Sequence, residues 1–160
     1  MQPQMDKSTL DRRAFVLGAG AVAALAPLLA GRVAAQDATP AWQEALRKIM
    51  GDAQPTFSAR LTFDLPELAE NGNMVPFAVG VESPMTEKDH VKAIHVLATE
   101  NPQPNVASFR FTPLSGRASV ASRMRLARTQ EVIGLAELGD GKFLMTRRSV
   151  KVTISGCGVG

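Results

Sequence analysis

From Arg60 onward, apolar and polar residues alternate, and this period of two constrains the fold more than any other feature of the chain. Leu61, Phe63 and Leu65 alternate with polar neighbours as far as Pro66. After the turn signal Asn71-Gly72-Asn73 the pattern resumes at Val75, Phe77, Val79 and Val81. Alternation of this kind marks strands with one buried face, and Asn-Gly pairs between such runs mark turns. Pro76 has no N–H for a ladder hydrogen bond, so it is expected at an edge or a bulge. Residues 91–99 predict a further strand with Ile94, Val96 and Ala98 on one face. Pro102 and Pro104 then precede a strand bearing Ala107, Phe109 and Phe111. Val120, Met124 and Leu126 mark the next strand, Val132, Ala136 and Leu138 another, and Gly139-Asp140-Gly141 turns the chain. The last strand points Val150, Val152 and Ile154 inward, with Ser149, Lys151 and Thr153 outward. About seven such strands, with turn signals between most of them, predict an all-β, immunoglobulin-like β-sandwich over residues 36–154.

One short helix precedes the strands. Thr39 is read as its N-cap, Pro40 as its first helical residue and Gly51 as its stop. Trp42, Ala45, Leu46, Ile49 and Met50 fall on one face, which predicts packing against the sandwich with Trp42 as an anchor. Further upstream, residues 1–35 read as a twin-arginine signal peptide. Arg12-Arg13 leads into an apolar, alanine-rich run to Ala30, and Val33-Ala34-Ala35 supplies small residues for cleavage after Ala35. The competing reading is a membrane anchor. The run is at the short edge of the roughly 20 residues a spanning helix needs, and alanine makes it weakly hydrophobic. Export of a folded protein to the periplasm, with no membrane attachment after cleavage, is the expectation.

The chain of 160 residues holds one cysteine, Cys157, which excludes an internal disulfide. Gly156 and Gly158 flank it, and Ser155, Val159 and Gly160 complete the terminal segment. Glycines widen the accessible backbone conformations, and chain ends are the least ordered part of most domains. Residues 155–160 are therefore expected to form a slim, flexible C-terminal arm that carries a thiol. Extended, Ser155 to Cys157 spans roughly 10 Å and the whole tail roughly 20 Å. An unpaired cysteine in an exported protein points to intermolecular pairing or a working thiol.

Charge and motif patterns exclude several classes of function. The net charge of +3 is small, and it predicts no nucleic-acid partner. The uneven part lies late: Arg110 to Lys151 holds nine basic and three acidic residues. Such a run serves either as solvated strand faces or as a positive field that favours anionic substrates and acidic partners. His90 and His95 lie five residues apart, which on a strand places them on opposite faces. Both are expected to be surface residues, and no metal site is predicted. No base is held in sequence near Cys157, so a thiol enzyme acting alone is disfavoured. Two readings stand: a carrier that uses Cys157 as a covalent attachment point, and a structural or adhesion-type sandwich joined through an intermolecular disulfide.

The residues also carry a resemblance. The tail around Cys157 resembles the Gly-Gly-Cys-Gly-Gly terminus of the SoxY family, sulfur carriers of the bacterial thiosulfate-oxidising Sox system. Glu70 to Pro76, Glu82 to Thr86, Asp89 to Lys92, Asn101-Pro102, Pro104 to Ala107 and the twin-arginine leader are similar to the family as well. Ser155 and Val159 depart from its glycine pattern. The resemblance implies an immunoglobulin-like, non-enzymatic carrier subunit that pairs with SoxZ. It implies that the SoxAX cytochrome loads Cys157 as a cysteine S-thiosulfonate. SoxB, a manganese hydrolase, would release sulfate, and SoxCD would oxidise the remaining sulfane. No cofactor is implied beyond the sulfur adduct on Cys157.

Overall fold

The computed structural model describes residues 39–154. The expected signal peptide with its cleavage point after Ala35 and the expected arm of Ser155, Gly156, Cys157, Gly158, Val159 and Gly160 lie outside the described residues. Among those described, helix α1 (Ala41–Met50) precedes nine strands: β1 (Pro55–Phe57), β2 (Leu61–Asp64), β3 (Leu68–Asn71), β4 (Val75–Val81), β5 (Val91–Ala98), β6 (Asn105–Arg110), β7 (Ala118–Met124), β8 (Gln130–Leu138) and β9 (Phe143–Ile154). They form two sheets. The larger runs β1-β9-β8-β5-β6, with β3 also paired to β9, and the smaller runs β2-β4-β7.

The expected sandwich is present. Inward-facing Leu61, Phe63, Val75, Phe77 and Val79 of the small sheet pack against Ile94, Val96, Val132, Ala136 and Val150 of the large one. Gly134 permits a close approach of the two layers, because a Cβ there would lie 3.1 Å from the Phe63 ring. The opposite face of the large sheet has its own apolar cluster of Leu97, Ile133, Leu135, Phe143 and Met145, which Leu46 of α1 covers. Trp42, Ala45, Ile49 and Met50 pack beside Leu46, as their spacing predicts. The Arg147 guanidinium stands 5.1 Å from the Trp42 ring centroid, a cation–π contact that ties helix to sheet.

Several expectations need correction. Pro40 is the N-cap of α1 rather than its first helical residue, and no side chain caps that end. Gly51 does stop the helix, at φ 60°, donating its N–H to the Arg47 carbonyl. Strands β1 and β3 add to the predicted seven, each pairing in parallel with β9. Strand β9 begins at Phe143, earlier than its alternating half suggests. Ile154 is exposed, because it lies past the end of the inner core. Pro76 sits inside β4, the middle strand of its sheet, but β2 pairs with β4 only from Ala78 onward, so β7 alone lies beside Pro76. The proline occupies a local edge.

Burial of Leu46 holds α1 on the sheet, so Leu46→Ala should lower the unfolding free energy by about 2–5 kcal/mol in a urea titration. A change within about 0.5 kcal/mol, typical of surface substitutions, would contradict that packing role.

Candidate functional site

The functional cysteine expected from the sequence lies three residues beyond Ile154, so the described residues define the base from which it departs. That base is held on two sides. On one, β3 pairs with the end of β9 in the register Leu68–Lys151 and Asn71–Ile154. The Thr153 hydroxyl donates to the Glu70 carbonyl at 2.9 Å. On the other, the β8 side, the Thr129 hydroxyl accepts the Val152 N–H at 3.0 Å. Gly72, which follows β3 directly, continues its ladder and acts as a bridge to the small sheet: its N–H donates to the Ile154 carbonyl at 2.8 Å, and its own carbonyl accepts the Leu126 N–H at 2.8 Å. The Asn71-Gly72-Asn73 turn thus ties the last strand of the large sheet to the chain leaving β7 in the small one. The Asn71 side chain braces this turn by accepting the Asn73 N–H at 2.9 Å.

The connection from β7 to β8 is held just as firmly. Asn101 donates to the Arg125 carbonyl at 2.9 Å, while its side-chain oxygen accepts the Ala127 N–H and a Gln130 amide hydrogen, both at 2.9 Å. Gln130 is buried; it also donates to the Arg128 carbonyl and accepts the Glu100 N–H. A buried amide with all its partners in place rigidifies what it touches, because breaking any one bond strands a polar group away from water. Leu126, fully buried, pins the centre of the same connection. Periodicity gives no sign of this network, because Asn101 and Gln130 are 29 residues apart in the chain.

The histidines are placed differently from expectation. His90 is half-buried, with Nδ1 3.1 Å from the Thr86 carbonyl. His95 is not a surface residue: it is 9% exposed on the α1-facing side of the large sheet, with Nδ1 2.8 Å from the Ser108 hydroxyl. Among the described residues, its buried Nε2 finds no partner. Loss of hydration, partly offset by Glu137 and reinforced by Arg110, holds its pKa below the usual 6.5. Among the described residues, no group of three or more His, Cys, Asp or Glu is placed to hold a metal ion. With Nε2 unpartnered, the His95–Ser108 pair lacks the third, orienting group of a hydrolytic triad.

A groove of about 850 Å³ crosses the outer face of the small sheet, lined in part by Asp64, Pro66, Pro76, Ala78 and Arg123. No helix among the described residues is long and apolar enough to cross a membrane.

Comparison with known proteins gives a consistent picture. A family model described as sulfur oxidation protein SoxY matches residues 46–157, a span that runs through the sandwich and ends on Cys157. The solved sulfur carrier protein SoxY from Chlorobium limicola f thiosulfatophilum is 32% identical, with a TM-score of 0.60, covering 70% of this chain and 96% of that one. A superoxide reductase (neelaredoxin) from Ignicoccus hospitalis shares the fold at 15% identity and a TM-score of 0.53, covering 58% of this chain and 80% of that one. A putative superoxide reductase from Thermotoga maritima does so at 18% identity and a TM-score of 0.50, covering 58% and 85%. No curated protein matches.

Because a buried neutral His95 resists protonation, the unfolded chain takes up a proton first as the pH falls. Its stabilising contribution is therefore complete above about pH 6.5 and declines below it, down to the lowered pKa of the folded state. Urea titrations between about pH 7 and 5 should show stability falling with acid, and His95→Gln should flatten that slope. Equal slopes for both proteins would mean that other groups carry the acid sensitivity.

Proposed function

Since the chain belongs to the SoxY family of sulfur carriers, we propose that it carries sulfur intermediates of thiosulfate oxidation covalently on Cys157. The observation that carries this reading is the family match, which extends through residue 157 and takes in the single cysteine of the chain. The fixed base at Ile154 supports it, because a rigid departure point limits where the thiol can be presented. From that base Cys157 reaches no farther than about 10 Å.

The chemistry suits a thiol acting on behalf of other proteins. Thiolate is the reactive form, and an ordinary thiol has a pKa of about 8.5, so activation belongs to the proteins that receive it. In loading, the Cys157 thiolate and thiosulfate form an S–S bond, and two electrons leave to a c-type cytochrome, the role expected of SoxAX. The product is the S-thiosulfonate. Water then cleaves its terminal S–S bond, releasing sulfate and leaving a persulfide on Cys157, the step expected of SoxB. SoxCD would oxidise that sulfane. Keeping each intermediate covalently attached raises its effective concentration for the next protein. The carrier contributes no catalytic residue and needs no resident cofactor.

The Sox family implies partners from the same system. The finer reading is a SoxYZ heterodimer in the periplasm, exported after folding and cleaved after Ala35. Gly156 and Gly158 would give the thiol a narrow profile. Ser155, Val159 and Gly160 complete the arm, with Val159 the bulkiest of them.

In a reconstituted Sox system, Cys157→Ser should abolish thiosulfate-dependent turnover while leaving the unfolding transition unchanged. The unreduced tryptic peptide Val152 to Gly160, taken from thiosulfate-grown cells, should carry reducible sulfur or thiosulfonate mass. A bare thiol, or only a peptide-to-peptide disulfide, would favour a structural sandwich instead.

A further inference from the structure

The end of the sandwich that bears Ile154 has a surface suited to more than anchoring a strand. Met74, two residues past Gly72, and Ile154, whose carbonyl Gly72 bonds, are each 63% exposed. Beside them lie three exposed arginines: Arg123 at the end of β7, and Arg125 and Arg128 on the connection to β8. Among the described residues Arg123 and Arg125 make no ion pair, and Arg128 meets Glu100 only at 4.0 Å. The Asn101–Gln130 network holds the backbone of Arg125 and Arg128 in place. Along β3, which runs into Gly72, the exposed charges are Glu67 and Glu70, with Lys151 exposed on the neighbouring strand.

We propose that Met74, Ile154, Arg123, Arg125 and Arg128 form a docking surface for proteins with an acidic patch beside the opening that receives the thiol. The proposal rests on the reading of Cys157 as the delivered group. Three residues of chain limit the thiol to about 10 Å from Ile154, so a protein that takes it must cover this end of the sandwich. Its rim then lies within about a Debye length of the arginines, about 8 Å at physiological salt, where their charges are only partly screened. An apolar centre with Met and Arg around it has the composition of a transient interface. Rim charges mainly accelerate encounter and set orientation, which suits a carrier that must exchange partners quickly.

The test uses the full chain, purified with any subunit that accompanies it, and direct binding to the c-type cytochrome that loads the arm. Affinity should fall steeply with added salt. Arg123→Glu with Arg125→Glu should weaken binding about tenfold at low salt and flatten the salt dependence. Met74→Ser should weaken binding and leave the salt dependence intact. Arg117→Glu, on the far end of β7, should change neither. Failure of the wild-type chain to bind, or unaltered binding by the double charge reversal, would overturn the proposal. The mass of the Cys157 peptide decides the carrier reading separately, so failure of one leaves the other standing. Unchanged alkylation of Cys157 by neutral iodoacetamide shows that the variants keep an accessible thiol.

Discussion

The register of β9 is the constraint on which the rest of the structure depends. This single strand of twelve residues pairs with β8 along most of its length, with β1 beside its first residues and with β3 beside its last. A slip of one residue would turn Val150 out of the core and expose the inward face of the whole strand. Burial from Phe143 to Val150 fixes the register, hydrogen bonds hold the end, and together they set the height at which Ile154 closes the strand.

The two ends of β9 do different work. Its first half lies between layers, with Leu144 facing the small sheet and Phe143 and Met145 facing α1. Its second half loses the helix cover and ends on polar contacts with β3 and Gly72. Apolar burial supplies most of the stabilisation in the first half, and directed hydrogen bonds determine geometry in the second. Gly72 and the Asn101–Gln130 network carry that geometry from β9 to the β7–β8 connection, so the end of β9 and the backbone that bears the arginines are tied together.

Where burial was one-sided, the sequence was readable. β2, β4, the inner face of β5 and the second half of β9 alternate because one face meets the core and the other meets water. The first half of β9 was missed because Phe143, Leu144, Met145 and Thr146 are all buried, and a strand covered on both faces has no period to detect. β1 and β3 span only three and four residues and owe their form to pairing with β9, a contact far along the chain. His95 was misplaced for a related reason, since α1 and the large sheet form a second core that the strand pattern alone does not reveal. The candidate thiol was legible from composition, because one cysteine between glycines is unusual wherever it falls. The network behind the arginines was not, because Asn101 and Gln130 meet only in three dimensions.

A carrier faces opposing demands at this end of the molecule. Its cargo group must reach into other proteins, yet each encounter must be oriented and brief. Extra chain length adds reach but dilutes the thiol over a larger volume, so effective concentration falls with every residue added. Placing the departure point beside a fixed, charged and partly apolar surface changes that balance. Long-range attraction gathers the partner, the exposed Met74 and Ile154 supply a modest apolar contact, and the tether need span only the remaining distance. Charges at a rim raise the association rate more than they slow dissociation, which is what repeated hand-over requires. The rigidity of the Asn101–Gln130 network then has a functional reading: loosely held arginines would still attract an acidic protein, but they would not orient it toward Ile154.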